Sequence, residues 1–377
     1  MGDHSTLAGE STREKQERSP GSMPEYPYIT VVMPVRNEER CIAATLEQVL
    51  RQDYPKDRFE VIVADGMSED KTRQIVAAFA QKHPQVRLLD NPGMRSGTGR
   101  NVGFMNGRGD IFLVIDGHCF IPTDRLLINI VLSFEKSKAH CLGRPQPLDP
   151  PNLGDFQKAV ALARSSRIGH SGHSFIYSEY EGFGSPVSVG AVYKKEVFEK
   201  IGYVDETFDA CEDVEFNYRV EKAGFSTYIS PLLSIKYYPR EDLIKFFHQM
   251  VRYGMGRVKF VQKNREVMNL DMLIPPAFAV CLMSLPIAGL IWPFFWWTWI
   301  TLLASYIGVI LFTSTKMALQ HGFRHFKYLP LIFFVIHFGL GWGLIKGFLK
   351  GIGGVVEKRM SGVAAVTSVD KLGKQDR

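Results

Sequence analysis

The sequence lacks the cysteine pattern of a zinc site or of a disulfide-stabilised scaffold. Its five cysteines include no Cys-x-x-Cys pair, and an odd number cannot all pair within one chain. We expect them to be reduced, mostly buried thiols of a cytoplasmic domain. They are Cys41, Cys119, Cys141, Cys211 and Cys281.

The N-terminal segment has almost no large apolar residues. Residues 1–27 are polar and charged, so they cannot form a core, and we expect a disordered tail. The segment also has no basic stretch followed by an apolar run, so we expect no cleavable signal peptide. The folded part should therefore begin on the cytoplasmic side of a membrane.

Charge is absent from much of the last third of the chain. Residues 272–315 contain no charged residue and no histidine. A helix needs ~20 apolar residues to cross a bilayer, so this stretch is long enough for two crossings. We expect a membrane domain over residues 266–351, with hydrophobic segments at 272–292, 294–315 and 328–347.

Basic residues flank these segments. Residues 236–265 contain eight Lys or Arg and two acids, and the linker after the second segment adds Lys316, Arg324 and Lys327. The positive-inside rule places both regions in the cytoplasm, so we expect a multi-pass protein of the cell membrane with a cytoplasmic catalytic domain. We expect three crossings, followed by a polar tail at 352–377. The alternative is a re-entrant or interfacial third segment, because Lys346 and Lys350 favour the inside.

Strand-like and helical patterns alternate from Tyr28 onward. Short β-branched runs occupy 29–33, 59–64, 86–89 and 111–115, and helical spacing occupies 38–51, 69–83 and 97–107. This alternation predicts an α/β fold with a mostly parallel sheet and helices on both faces. Sheets of this kind bind ligands beyond the carboxyl ends of their strands.

Polar clusters follow three of the predicted strands. The clusters are Pro34 to Glu38, Asp65 to Thr72, and Asp116-Gly117-His118. A single aspartate at a strand end is often only a helix cap. Three clusters at the same edge of one sheet favour a shared ligand-binding crevice.

The motifs at these positions resemble those of the family-two inverting glycosyltransferases with the GT-A fold. The resemblance rests on VVMPVRNEE, VIVADGMSEDKT, GRNVGF and VIDGH, and on GAVYKKEVFEKIGYVDETFDACEDVEFNYRVEKAGF later in the chain. The run YYPREDLIKFFHQMVRYGMGR is similar to enzymes of succinoglycan-type exopolysaccharide synthesis. The resemblance implies a GT-A domain over residues 28–265, with a Rossmann-like, mostly parallel sheet.

The activity that the resemblance implies is hexosyl transfer with inversion. The donor would be a nucleotide diphosphate sugar, and the acceptor a polyprenyl-diphosphate-linked saccharide. Membrane lipids and other glycan-assembly enzymes would be further partners, and no nucleic acid is expected. Two alternatives stay open: a polyprenyl-phosphate sugar synthase, and a membrane subunit that binds saccharide without catalysis.

The resemblance also implies a divalent metal, Mn²⁺ or Mg²⁺, at the family's Asp-x-Asp motif. Here that motif is Asp116-Gly117-His118. Imidazole suits Mn²⁺ better than Mg²⁺. Either His118 is a ligand of the softer metal, or Asp116 holds the ion and His118 is a loop histidine bonded to the main chain.

By the same resemblance, several residues would bind the nucleotide sugar. Asp65 matches the carboxylate that holds the base, and Pro34, Arg36 and Glu38 lie in the nucleoside segment. Arg100 and Asn101 match a segment near the donor. For Ser68, Asp70 and Thr72, the residue types favour a helix cap.

Glu212 and Asp213 begin a predicted helix at 212–223. The resemblance makes Asp213 the catalytic base and Glu212 its neighbour. The reaction needs one carboxylate to take a proton from the acceptor hydroxyl. Adjacent acids at a helix start also fit an N-terminal cap, so that alternative stays open.

The motif Gln249-x-x-Arg252-Tyr253 resembles the family's Gln-x-x-Arg-Trp. Spacing of three residues allows Gln249 and Arg252 to point together, toward the acceptor or the diphosphate. Tyr253 in place of Trp, and too few membrane segments for a polymer channel, favour transfer of a single sugar. The alternative is an interfacial amphipathic helix whose basic face meets lipid head groups.

Glycines recur every fourth residue near the end of the apolar region. They are Gly339, Gly343, Gly347 and Gly351. On a helix this spacing gives a smooth stripe, which predicts the close approach of another helix.

Overall fold

The computed structural model describes residues 26–170, 174–268 and 270–372, and the side chains of these except 270–271 and 352–372. The tail expected at 1–27 lies outside the described residues, apart from Tyr26 and Pro27.

The first half of the chain is a set of parallel βαβ units. The strands are β1 (Ile29–Val35), β2 (Phe59–Asp65), β3 (Val86–Asp90) and β4 (Ile111–Val114). The helices between them are α1 (Ile42–Leu50), α2 (Thr72–Lys82) and α3 (Ser96–Asn106). β1 pairs in parallel with both β2 and β4, and Val35 is level with Asp65. The polar segments that follow these strands therefore meet at one edge of the sheet, as predicted.

The second half extends the same sheet with antiparallel members. Its strands are β5 (Cys119–Phe120), β6 (Cys141–Gly143), β7 (Gly182–Phe183), β8 (Gly190–Lys194), β9 (Thr227–Ile229) and β10 (Lys236–Tyr237). Its helices are α4 (Leu126–Ser137), α5 (Asp155–Ser165), α6 (Lys195–Ile201), α7 (Glu212–Lys222) and α8 (Leu243–Lys263).

The main sheet has eight strands in the order β3-β2-β1-β4-β8-β6-β9-β7. β8 runs antiparallel to β4 and β6. A separate pair, β5 with β10, lies directly after the Asp116 loop. The predicted α/β class with a mostly parallel sheet is confirmed.

The core lies on both faces of the sheet. Successive side chains of a strand point to opposite faces. In β1, Val31 and Met33 join the hydrophobic cluster under α1 and α4, whereas Val32 joins the cluster under α3, α6 and α7. Burial on both faces explains why these strands are continuous apolar runs.

The apolar C-terminal region is helical. Its helices are α9 (Ile274–Gly289), α10 (Phe294–His321) and α11 (Leu329–Leu372). In the described chain, α10 and the part of α11 from Leu329 to Gly351 are long and apolar enough to cross a membrane. The first expected segment forms the 16-residue helix α9, which is shorter than the ~20 residues a crossing takes.

Large apolar side chains of α10 remain uncovered. Trp297 is 70% exposed and Phe312 is 72% exposed. An exposed apolar surface of this extent is typical of contact with lipid or with another protein.

The predicted glycine stripe is confirmed, and its partner is α8. A Cβ added at Gly339 would lie 3.0 Å from Cβ of Met250, and one at Gly347 would lie 3.1 Å from Cα of Met255. The same test at Gly343 meets the carbonyl oxygen of Val251. The part of α11 from Gly339 to Gly351 therefore lies along α8 and runs parallel to it. The predicted polar tail from 352 is helical to Leu372, and 373–377 lie outside the described residues.

Candidate active site

Asp65, at the end of β2, is completely buried. Its Oδ2 accepts a hydrogen bond from the Ser68 N–H at 3.2 Å and lies 3.3 Å from Nη1 of Arg73. Its Oδ1 has no partner among the described residues. Leaving a buried acceptor unpaired is costly, so Oδ1 is suited to an N–H donor of a ligand.

The loops after β1 and β2 are bonded to each other. The backbone N–H of Asn37 donates to Oγ of Ser68 at 2.9 Å, and that of Glu38 donates to Oγ1 of Thr72 at 2.7 Å. The cap favoured by the sequence is not formed, because the N-cap residue of α2 is Lys71, which makes no side-chain cap bond. Oδ1 of Asp70 accepts from the Thr72 N–H at 2.9 Å in the turn before the helix. The two hydroxyls instead fix the loop that carries Arg36 and Glu38. Arg36 is half-exposed, 3.9 Å from Glu69.

Glu38 contacts the Asp116-Gly117-His118 loop directly. Oε1 of Glu38 lies 2.7 Å from Nδ1 of His118. Burial lowers the pKa of His118, but the hydrogen bond and charge of Glu38 outweigh it, and the pKa is raised. The imidazole also stands edge-on to the ring of Tyr237, with centroids 6.2 Å apart. The ring is therefore fixed, with Nε2 as the nitrogen left for a ligand.

The donor set of this loop fits a divalent cation in part. Within the described residues no three His, Cys, Asp or Glu side chains gather at one point. Asp116 and His118 supply one carboxylate and one imidazole, a set that suits Mn²⁺ better than Mg²⁺. Oxygen atoms of a substrate phosphate would have to complete the coordination.

Arg100 lies between the two ends of the crevice. Its Nη2 is 3.5 Å from Oε1 of Glu212, at the start of α7. Burial lowers the pKa of Arg100, but the carboxylates of Glu212, Asp213 and Asp116 outweigh it, and the pKa is raised. Its Nε has no partner among the described residues. A single guanidinium thus pairs with Glu212 and lies within electrostatic range of Asp213 and Asp116.

Glu212 and Asp213 differ in environment. Glu212 is buried, and burial raises its pKa against the lowering effect of Arg100. Asp213 is partly exposed, and its Oδ1 accepts a hydrogen bond from the Val214 N–H at 2.8 Å. The residue in the N-cap position is Cys211, which makes no side-chain cap bond. Of the two acids, Asp213 is the more accessible to a substrate.

Asn101 is turned away from the crevice. Its Oδ1 accepts from the Val204 N–H at 2.9 Å, and its Nδ2 donates to Oε1 of Glu206 at 2.8 Å. It therefore anchors the segment that leads to α7. Pro34 lies under α3, where a Cβ at Gly99 would come within 2.9 Å of its Cβ.

The side chains of the Gln249-x-x-Arg252-Tyr253 motif on α8 point in two different directions. Nε2 of Gln249 donates to the Tyr253 hydroxyl at 3.2 Å. Arg252 instead points outward, where its Nη2 donates to the Asp209 carbonyl oxygen at 2.9 Å. The structure therefore pairs Gln249 with Tyr253, four residues on, rather than with Arg252.

Arg144 is a site residue that the sequence did not reveal. It follows β6, is 1% exposed, and donates from Nη2 to the Val114 carbonyl oxygen and to the Tyr237 hydroxyl. Its Nε and Nη1 have no partner among the described residues. Arg144 and Asp116 both act on the pKa of Tyr237, so this buried cation lies close to the Asp116 loop. In the sequence, the prolines around Arg144 indicate only a break in the alternation of strands and helices.

Comparison with known proteins assigns this arrangement. Residues 30–202 match the family model described as glycosyl transferase family 2. The chain is 32% identical over 254 residues to the succinoglycan biosynthesis protein ExoA of Rhizobium meliloti, covering 66% of this chain and 74% of that protein.

A second relative matches over nearly the whole chain. It is the dolichyl N-acetyl-alpha-D-glucosaminyl phosphate 3-beta-D-2,3-diacetamido-2,3-dideoxy-beta-D-glucuronosyltransferase of Methanococcus voltae. The identity is 27% over 334 residues, covering 86% of this chain and 98% of that protein.

One solved structure shares the fold over most of the length. It is the mannosyltransferase PcManGT from Pyrobaculum calidifontis, solved with GDP-Man and Mn²⁺. The TM-score is 0.53 at 18% sequence identity, covering 85% of this chain and 87% of that one.

Proposed function

This chain belongs to glycosyltransferase family 2, and from that premise we propose a membrane-bound inverting enzyme that transfers one sugar from a nucleotide diphosphate sugar to a polyprenyl-diphosphate-linked saccharide. The predicted GT-A fold and glycosyltransferase activity are confirmed by these relatives. Synthesis of an exopolysaccharide or another cell-surface glycan is the process we propose, because the names of two relatives refer to succinoglycan and to a dolichyl-linked sugar.

The position of Arg100 is the observation that carries this proposal. Its guanidinium interacts with Asp116 at the strand ends and with Glu212 and Asp213 at the start of α7. Sugar transfer needs a site for the departing diphosphate and a base for the incoming hydroxyl, side by side. The two carboxylate groups that Arg100 joins are suited to these two tasks.

Asp213 is the proposed base. It would accept the proton of the acceptor hydroxyl as that oxygen attacks the anomeric carbon, opposite the departing diphosphate. Glu212, held by Arg100, positions the start of α7. A divalent cation held by Asp116 and His118 would neutralise the negative charge of the diphosphate.

The nucleoside would bind over the loops after β1 and β2. There the unpaired Oδ1 of Asp65 is available to an N–H of the base. Pro34, Arg36 and Glu38 lie on the adjoining loop, which Ser68 and Thr72 hold in place.

We propose that the uncharged stretch 272–292, which contains α9 and is long enough to cross only with its flanking residues, forms a membrane hairpin with α10. The catalytic domain would lie on the cytoplasmic side. α8 is tied to the catalytic domain by Lys263, whose Nζ lies 2.7 Å from both Asp205 and Glu215. Because Gly339 to Gly351 pack along α8, this part of α11 would stay on the same side as that domain. This favours the interfacial alternative for the third segment over a full crossing.

The test is a panel of nucleotide sugars with membrane extract as the source of acceptor, followed by mass analysis of the lipid fraction. The expected product is a lipid diphosphate saccharide extended by one sugar. An acid-labile lipid monophosphate sugar would instead identify a polyprenyl-phosphate sugar synthase. Absence of both transfer and donor hydrolysis would contradict catalysis.

A further inference from the structure

A cation lies between two aromatic rings at the end of α5. The guanidinium carbon of Arg164 is 5.9 Å from the ring centre of Tyr177 and 5.8 Å from that of Tyr253. No carboxylate of the described residues lies within ion-pair distance of Arg164. The two tyrosines also interact with Arg164 through hydrogen bonds of their side chains, but these neutral partners compensate only part of the cost of desolvating such a charge. The site is therefore suited to an anion.

Two further nitrogen-bearing side chains lie beside the two tyrosines that flank Arg164. Arg257 follows Tyr253 by four residues on α8, so both lie on one helix face, and Arg257 is exposed. The ring of His170 lies 5.0 Å from that of Tyr177, and its Nε2 is buried without a partner in the described structure. Burial, then Arg164 and Arg257, lowers the pKa of His170 to about 4. Arg164, His170 and Arg257 are called the arginine cluster below.

On one side the arginine cluster adjoins the acids of α7. A Cβ at Gly256 would meet the Ala210 carbonyl oxygen at 2.6 Å, so α8 packs directly against the residues before Glu212. Arg257, Asp213 and Glu212 all act on the pKa of the Cys211 thiol, which burial raises.

On its other side the cluster adjoins the apolar helices. Nε2 of His337, on α11, donates to the carbonyl oxygen of Ile168 at 2.7 Å. Ile168 lies between Arg164 and His170 in the sequence. The cluster thus stands where the catalytic domain meets the apolar part of the molecule.

We propose that the arginine cluster binds the phosphate groups that join the acceptor's saccharide to its lipid. This inference rests on the proposed function. The lipid would extend toward α11 and the saccharide toward Asp213. Two guanidinium groups match the charge of a phosphodiester or diphosphate, and a neutral imidazole can donate one more hydrogen bond. The donor's diphosphate would bind elsewhere, at the site proposed for Asp116 and His118.

The experiment measures binding of farnesyl diphosphate, as a short probe, to the full-length protein in a neutral detergent. Arg164→Gln and Arg257→Gln are compared with Arg167→Gln, an exposed arginine of the same segment. Each variant of the cluster should raise the Kd for farnesyl diphosphate by tenfold or more, because each removes a charge-assisted hydrogen bond. Arg167→Gln should change it less than twofold. Since Arg257 is exposed, its variant tests the site even if Arg164→Gln does not fold.

Three outcomes would overturn the proposal. The first is an unchanged Kd for farnesyl diphosphate in both cluster variants. The second is that the cluster variants lose their preference for phosphatidylglycerol vesicles over phosphatidylcholine vesicles by the same factor as they lose affinity for farnesyl diphosphate. That result would assign the cluster to lipid head groups. The third is an equal rise in the donor KM, which would assign it to the nucleotide sugar. Wild-type donor hydrolysis is measured in parallel, so failure of the proposed function is recognised separately.

Discussion

Nδ1 of His118 lies 2.7 Å from Oε1 of Glu38, so the side chain at the third position of the Asp-x-His motif is oriented by a carboxylate from the loop after β1. This arrangement resembles the second-sphere carboxylates that orient metal-binding histidines. It joins the segment after β1, which we propose binds the nucleoside, to the segment after β4, which we propose binds the diphosphate.

The first prediction concerns metal preference. Activity should require a divalent cation, and Mn²⁺ should support at least as much activity as Mg²⁺, because imidazole replaces a hard oxygen ligand. His118→Asp should shift the ratio of activities toward Mg²⁺. Transfer rates are measured over a titration of each metal. His83→Gln is the control, because His83 lies at the C-terminal end of α2 and not in the Asp116 loop. Full activity in excess chelator would remove the metal from the proposal.

The second prediction concerns Arg100. Arg100→Met should lower both the melting temperature and kcat, because it leaves the buried Glu212 unpaired; breaking such a pair costs roughly 3–5 kcal/mol. The double variant Arg100→Met/Glu212→Gln should regain part of the melting temperature, since the unpaired charge is gone. Its kcat should stay low, because Asp116 and Asp213 still lack their shared cation. Recovery of kcat along with stability would reduce Arg100 to a structural role.

The third prediction concerns stability and pH. The pKa of His170 is about 4 in the fold and 6.5 without the fold. As the pH falls, the unfolded chain therefore binds this proton at a higher pH than the folded chain does. The contribution of His170 to the free energy of unfolding is complete above about pH 6.5. It should fall by up to about 3 kcal/mol as the pH drops toward 4.

Melting temperatures of the ligand-free protein between pH 7 and pH 4.5 measure this effect. His170→Gln should flatten the curve in that window. His248→Gln, at an exposed position of α8, should leave the wild-type slope. Equal slopes for wild type and His170→Gln would contradict a neutral, buried His170.

The fourth prediction concerns topology. Reporters at the N-terminus, at Gly322 between α10 and α11, and at the C-terminus should all be cytoplasmic. A reporter in the turn at Pro293 should be outside. Protease added to intact cells, with reporter cleavage as readout, measures each position. A C-terminal reporter cut from outside would restore three full crossings.

The edge of the sheet and the glycine stripe could be predicted from sequence because both depend on local periodicity. Strand period and chain order alone placed Asp65 and Asp116 at one edge. Spacing of four residues placed Gly339 and Gly343 on one face of a helix. Neither prediction required knowledge of what lies opposite in space.

Other features depend on contacts between distant segments and could not be predicted. The pairing of Arg100 with Glu212 joins residues that are 112 positions apart in the sequence. Asn101, one residue on, points to the Val204 segment because the helix turns it by ~100°. Arg252 points outward because Asp209, on a segment distant in sequence, offers it a partner. Arg144 had no recognisable pattern around it at all.

The last prediction concerns the base. Asp213→Asn keeps the side-chain oxygen that accepts the Val214 N–H but removes the charge that takes a proton. A positioned base contributes ~10²–10⁴ in rate, so kcat should fall by about that factor while folding and donor binding stay near wild type. Glu212→Gln should cost less in kcat. Asp65→Asn should raise the donor KM first, because Asp65 would hold the nucleotide base rather than the reacting centre.

This set of variants separates catalysis from helix capping. Asparagine is as good a cap as aspartate, so a capping role predicts nearly unchanged turnover for Asp213→Asn. The measurement is kcat and donor KM with a saturating lipid-linked acceptor, together with a melting curve for each variant. Wild-type turnover in Asp213→Asn would mean that the proton goes elsewhere, and the buried Glu212 would be the next carboxylate to test. A large loss of kcat with an unchanged melting curve fits only a group that acts on the reacting atoms, because the fold, the cap and the donor site would all be intact.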